Sequence, residues 1–170
     1  ASDVYKRQEE ECQRLISAAA KNNVVLLVGH IERFNPAVEQ MGKLLSDTSK
    51  IRSLTAQRMS AASGRITDVD VSMDLMIHDV EVIQSLVKSP VVNIQAASVK
   101  TKESPMGKDY ITALLEFENG ATANITASRI TQARVRTLTV TTDTNYIDMD
   151  FINQSINVHS QGRMPYVNPE

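Results

Sequence analysis

The chain has 170 residues, long enough for a domain with a proper core, and 42% of them are hydrophobic against 22% charged, the balance of an ordinary globular protein. A net charge of −2 and a pI near 6.0 argue against nucleic acid or anionic lipid as partners, and no apolar run approaches the roughly 20 residues of a membrane span. The single cysteine, Cys12, rules out an internal disulfide and fits a reducing, cytoplasmic setting.

Residues 1–8, ASDVYKRQ, read as the in-frame translation of a transposon-end adapter used to fragment DNA for sequencing. The alternative is a native helix start with a polar lead-in. Taken as a fusion scar, these residues stand outside the fold. The last residues, PYVNPE, stop without structural closure, so the chain reads as a fragment whose neighbouring sequence is expected elsewhere in the gene.

Glu9 to Lys21 is helix-like, with Leu15, Ile16, Ala19 and Ala20 as its apolar positions and Asn22-Asn23 as its stop. Val24 to Gly29, VVLLVG, is the continuous apolar run of a strand buried on both faces of a parallel sheet. Helix, short turn and buried strand together make the last piece of a doubly wound unit. Asn35 as N-cap and Pro36 at the first helical position open a second helix, whose stripe is Val38, Met41, Leu44 and Leu45. Ile51 to Met59 is a strand, SAASGRITDVDVS a loop, and a third helix follows to about Lys88. From Val91 the chain turns to strands. VVNIQAASV is one; ITALLEFENGATANITASRI is a hairpin about Asn119-Gly120; VRTLTVTT and NYIDMDF pair around Asp143-Thr144; SINVHS is the last. Consecutive hairpins predict an antiparallel sheet. Ala121, Ala123, Ile125 and Ala127 fall on one side, and Thr122, Asn124, Thr126 and Ser128 on a threonine-rich side that is either solvated or set against another sheet.

The third helix carries the strongest chemical signal. In MDLMIHDVEVI, Asp74 and His78 lie four apart, one turn along nearly the same face. A carboxylate beside an imidazole fixes its tautomer and raises its proton affinity, which suits general acid–base work. The bland alternative is a surface pair contributing a few tenths of a kcal/mol. Met73, Leu75, Met76 and Ile77 predict a turn buried all round, and an unpaired charge there would be costly, so the pair is expected to face a cleft. Asp79 either caps, pairs with an arginine or supports the site, with a structural role expected, and Glu81 is expected to be solvated. In GHIERFNP, His30, Arg33 and Asn35 follow the carboxyl end of a strand, where doubly wound folds bind ligands. His30 is otherwise a turn residue, Arg33 a salt-bridge partner and Asn35 the helix cap. Arg65 either reaches an anionic substrate group or anchors its loop to Asp68 or Asp70. His159 is expected on an exposed strand. No ligand spacing of the H-E-x-x-H kind, no G-x-S-x-G elbow and no phosphate-cradling glycine loop occurs.

VGHIERFNPAV, followed by RITDVDVSMDLMIHDVEVI and LLEFENGATANITASRITQARVRTLTVTT, resembles the glucose-fructose oxidoreductase / inositol dehydrogenase / rhizopine-catabolism (Gfo/Idh/MocA) family from Glu9 to about Gly162. RITDVDV and the FENG hairpin are most similar to its UDP-N-acetylglucosamine 3-dehydrogenases. The resemblance implies an α/β (α+β) fold: the end of a Rossmann domain at residues 9–30, then a substrate-binding and dimerisation domain at 31–170. That second domain would have a large, mainly antiparallel open-faced sheet with helices on one face. It also implies an oxidoreductase using NAD or NADP on a sugar or nucleotide-sugar hydroxyl, and a homo-oligomer formed through the open sheet. By the same resemblance His78 takes the hydroxyl proton, Asp74 orients it, and Arg33, Arg65 and Asn35 fall on the substrate side, with His30 nearest the cofactor. The family's glycine-rich loop and its catalytic lysine have no counterpart here and are expected upstream, so the fragment alone is expected to be inactive. The alternative is a non-catalytic binding or oligomerisation protein on the same fold.

Overall fold

The computed structural model describes residues 9–61, 69–101 and 108–160. The chain divides into two compact units, residues 1–31 and 32–170.

In the first unit, helix α1 (Glu9–Lys21) stops where the asparagine pair predicts. Asn23 adopts the left-handed region at φ 51°, the Asn22 side chain donates to the Ala18 carbonyl at 2.8 Å, and Val24 N–H reaches back to Ala19 O at 3.0 Å. The expected buried strand at Val24–Gly29 does not form. Val25 is 94% exposed and Leu27 76%, and the run makes no ladder with any described strand. A strand exists only through its neighbours' hydrogen bonds, so hydrophobicity alone leaves this segment extended in composition but unpaired.

The second unit begins in the 3-10 turn Ile31–Phe34 and continues into α2 (Pro36–Leu44). Asn35 is its N-cap, with Oδ1 accepting from Ala37 N–H at 3.1 Å and proline pre-set at the first turn. Ala37, Val38 and Met41 are buried, and Leu45, in the cap, swings into the core at 5% exposure. Leu44, expected in the apolar stripe, is instead 45% exposed, because the helix ends there and Leu45 takes the inward position.

A seven-stranded sheet follows. Its strands are β1 (Ile51–Met59), β2 (Val91–Val99), β3 (Tyr110–Phe117), β4 (Thr122–Ser128), β5 (Val135–Thr142), β6 (Asn145–Asp150) and β7 (Ser155–Ser160), in the order β2-β3-β4-β1-β5-β6-β7. Only β1 and β4 run parallel, with Leu54 opposite Ala123 and Ala56 opposite Ile125; every other pairing is antiparallel. The sheet is thus mainly antiparallel, as the hairpins predict. The β3–β4 turn closes through Phe117 N–H to Ala121 O and Ala121 N–H to Asn119 Oδ1, with Gly120 at φ 84°. A positive φ is the reason glycine stands there.

Period-two alternation sorts the two faces. Leu54, Ala56, Ala113, Leu115, Ala123, Ile125, Leu138, Val140, Ile147 and Met149 fill the covered face. Each large aliphatic buried this way contributes about 1.5–3 kcal/mol. Helix α3 (Ile77–Val87) lies across β1 and β4, adding Val82, Ile83, Leu86 and Val87 to the same core. The opposite face carries Thr55, Thr112, Asn124, Thr126, Thr137 and Thr139 and stays partly or fully open.

Candidate active site

The third helix does not start as a regular one. Just before it, Asp70 Oδ1 accepts from both the amide and the hydroxyl of Ser72. Ser72–Met76 then winds as a π turn, closed by Ile77 N–H to Ser72 O, before α3 continues as a regular helix. A π segment inserts an extra residue into the turn, re-aims the side chains on it, and is found frequently at functional sites. Asp74 stands on this turn, its N–H bonded to Asp70 O at 3.1 Å, and His78 stands in the first regular turn after it. The structure therefore brings the two sequence-predicted residues onto one helical run, at a local irregularity that residue spacing could not reveal.

Both side chains are half-buried, while the His78 Nδ1 atom itself is enclosed. The turn is not buried all round as expected: Met76 is at 7%, whereas Met73, Leu75 and Ile77 are half-buried. A cavity of about 350 Å³ lies between α2 and α3, lined by residues including Val38, Gly42, Leu86 and Lys88, and neither Asp74 nor His78 lines it.

Behind His78 sits a buried ion cluster. Asp79, at 2% exposure, takes two parallel bonds from Arg58, Nε to Oδ2 and Nη2 to Oδ1, both 2.9 Å. Arg58 Nη1 reaches Glu32 Oε1 at 2.9 Å, and the guanidinium lies 5.2 Å from the centroid of the Phe151 ring. Burial pushes the Asp79 carboxyl above its ordinary value; the Arg58 donors and charge pull the other way, with a smaller contribution from His78. This cluster pins α3 against β1 and fixes the rotation of the helix that carries His78. Asp79 thus takes the structural pairing expected of it.

The remaining sequence candidates separate. Arg33 makes an ion pair with Glu81, on α3 three residues beyond His78. Glu81, expected to be solvated, is only 12% exposed, because Arg33 covers it. Asn35 caps α2, and its Nδ2 also donates to Phe151 O at 3.3 Å, tying the helix to the end of β6. His30 belongs to the first unit, half-buried, with its amide donating to Val28 O at 2.8 Å. Arg65 lies outside the described residues. His159 is exposed on β7 as expected, near Asp148 at 3.1 Å and tilted against Tyr146.

Sequence reasoning passed over Arg58. The signal was available: Leu54, Ala56 and Arg58 share one parity, so an arginine at 58 must face the core and needs acids there. Asp109 and Arg129, flanking strands that look ordinary, offered no such cue.

The family model for the GFO/IDH/MocA C-terminal domain matches residues 48–147. UDP-N-acetylglucosamine 3-dehydrogenase of Acidithiobacillus ferrooxidans is 31% identical over 153 residues, covering 90% of this chain and 48% of that protein. A solved structure of that enzyme superposes with a TM-score of 0.82 at 30% identity, over 91% of this chain and 50% of that one. The WlbA dehydrogenase from Bordetella pertussis, solved in complex with NADH and UDP-GlcNAcA, superposes with a TM-score of 0.79 at 16% identity, over 93% and 50%, which is a likeness of fold. The chain spans about half the length of these relatives.

Proposed function

The chain belongs to the GFO/IDH/MocA family, whose C-terminal domain it carries, and from that premise we propose that it is the substrate-side half of an NAD(P)-dependent oxidoreductase acting on a sugar or nucleotide-sugar hydroxyl. The observation that carries the reading is Asp74 on the π turn with His78 in the regular turn that follows, braced from behind by the Arg58–Asp79 cluster. The UDP-N-acetylglucosamine 3-dehydrogenase relative supports a nucleotide sugar as the substrate class.

In this reading His78 accepts the hydroxyl proton. Its Nδ1 is enclosed, so Nε2 is the nitrogen that exchanges a proton with substrate. Asp74 orients the ring and favours the imidazolium that forms. A bound nicotinamide would supply the acceptor for the hydride on the carbon bearing that hydroxyl. The described residues fit one margin of a dinucleotide site and no more: the exposed apolar run at Val24–Val28 suits the last strand of a nucleotide-binding sheet. We place the glycine-rich loop and the catalytic lysine upstream of residue 9. Arg33 and Arg65 hold polar groups of the substrate in this scheme, with Arg33 exchanging part of its contact with Glu81; Asn35, the cap of α2, follows Arg33 on the same side of the scheme. The reading keeps a cytoplasmic location and a homo-oligomer formed through the threonine-rich open face. Among the described residues no helix is long and apolar enough to cross a membrane. The non-catalytic alternative is not favoured, since the similar proteins of known activity are dehydrogenases.

The test is His78→Ala in the full-length enzyme, following nicotinamide reduction by absorbance. Turnover is expected to fall by about a hundredfold to ten-thousandfold, with substrate affinity changed only a few-fold. Unchanged turnover refutes the assignment of the base.

A further inference from the structure

The residues leading into the π turn are held from outside by groups that the proposed chemistry does not use. Arg129, immediately after β4, directs Nη2 to the Val69 carbonyl at 2.6 Å, and its own amide donates to Asp109 O at 2.9 Å. Asp109, just before β3 and 3% exposed, accepts through Oδ2 from the Thr101 amide at 2.9 Å and the Thr101 hydroxyl at 2.7 Å. Its other oxygen, Oδ1, lies 3.9 Å from Arg129 Nε. A second strut joins Val71 N–H to Lys108 O at 3.2 Å, and Val71 is fully buried. Backbone bonds complete the hold: Asp109 N–H reaches Val99 O at the end of β2, and Asp74 N–H hangs from Asp70 O.

The ends of β3 and β4 thus bond Val69 and Val71, just before Ser72, while the end of β2 holds Asp109. The helical run carrying Asp74 and His78 starts from this anchor. A charged donor bonding a backbone carbonyl is stronger than a neutral one; the Asp109 backbone carbonyl holds the arginine's amide, and its buried carboxylate, fixed by Thr101, faces the guanidinium.

We propose that Arg129 and Asp109 are positioning residues for the reaction: by clamping Val69–Val71 to the ends of β3 and β4, they fix where the π turn begins and hence where Asp74 and His78 project. Neither touches substrate. The inference rests on the assignment of Asp74 and His78 to the chemistry. A misplacement of about 1 Å at reacting groups costs about a hundredfold in rate, so a loosened anchor acts on turnover more than on binding.

Two readouts test it on the full-length enzyme. Amide hydrogen exchange in Arg129→Met is expected to rise about tenfold or more at Val71–Ile77, with the β5–β6 amides unchanged. In the same variant kcat falls about ten- to a hundredfold, with KM within about threefold, and Arg129→Lys recovers most of the loss. Asp109→Asn gives the same pattern in weaker form, and serves if Arg129→Met does not fold. Exchange confined to wild-type rates, or a uniform rise across the whole sheet, overturns the clamp. So does a loss expressed in KM alone. If the wild-type enzyme oxidises no sugar, the proposed function fails by itself, while the exchange pattern still decides the clamp.

Discussion

Replacing Arg58 by methionine strips the guanidinium from the centre of the ion cluster while keeping most of the side-chain volume. The loss is three bonds of 2.9 Å, two to Asp79 and one to Glu32. What remains is a carboxylate at 2% exposure facing a second acid whose side chain is 14% exposed. Arg136, 3.9 Å from Glu32, is the nearer remaining cation and is itself kept in check by burial, which lowers its pKa. Deleting one partner of a buried pair costs about 3–5 kcal/mol, against about 0.2–1 kcal/mol for an exposed pair. The buried figure applies here, so urea denaturation followed by circular dichroism should show a loss of about 3–5 kcal/mol. In Arg58→Met/Asp79→Leu both charges go and leucine fills the site, so the double variant should lose less than the single one. The pH dependence has a definite sign. Burial already raises the Asp79 carboxyl in the folded protein, and without Arg58 only the smaller pull of His78 opposes it, so the folded state holds its proton more tightly than the unfolded state. Stability of Arg58→Met should then rise as pH falls toward the ordinary carboxylate range and decline as pH climbs through the raised folded value. A cost under about 1 kcal/mol for Arg58→Met, or a double variant as poor as the sum of the singles, would refute the reasoning.

Asn35→Ala removes a helix cap and the bond to Phe151 O together; a loss of about 1–2 kcal/mol in thermal or urea unfolding is expected, at the upper end for a cap, and a loss below about 0.5 kcal/mol would show that the bond to Phe151 contributes nothing. Asp148 on β6 is held below the ordinary carboxylate range first by the Asn157 side chain and also by His159. Its stabilising contribution is therefore present above the ordinary range and lost as pH falls through the depressed folded value. Carbon-detected NMR titration should find the depressed value in the wild type and a higher one in Asn157→Ala; identical titrations would dismiss the contact.

Periodicity made much of this molecule legible. Alternation alone separated Ala121, Ala123, Ile125 and Ala127 from the threonine side of β4, because a strand with one covered face must obey it. The Asn35-Pro36 start and the Asn119-Gly120 turn were readable because capping and positive φ are local demands. What escaped was non-local. The parallel pairing of β1 with β4 joins segments that no turn connects, and hairpin reasoning has no access to it. The π turn under Asp74 is a backbone irregularity that a spacing of four residues does not show. The run at Val24–Val28 has the composition of a strand without the partners that would make it one.

The position of β1 in the middle of the sheet bears on how this protein is made. Its two lateral neighbours, β4 and β5, are both translated long after it, so Ile51–Met59 leaves the ribosome with neither edge satisfied. Helix α3 and β2 appear in the interval without closing either side. Ordering must wait for contacts of large sequence separation, which slows folding and lengthens the time a sticky segment is displayed. Synthesis halted before residue 122 should accordingly yield chains that depend on chaperones, whereas release beyond β5 lets the centre of the sheet lock in one step.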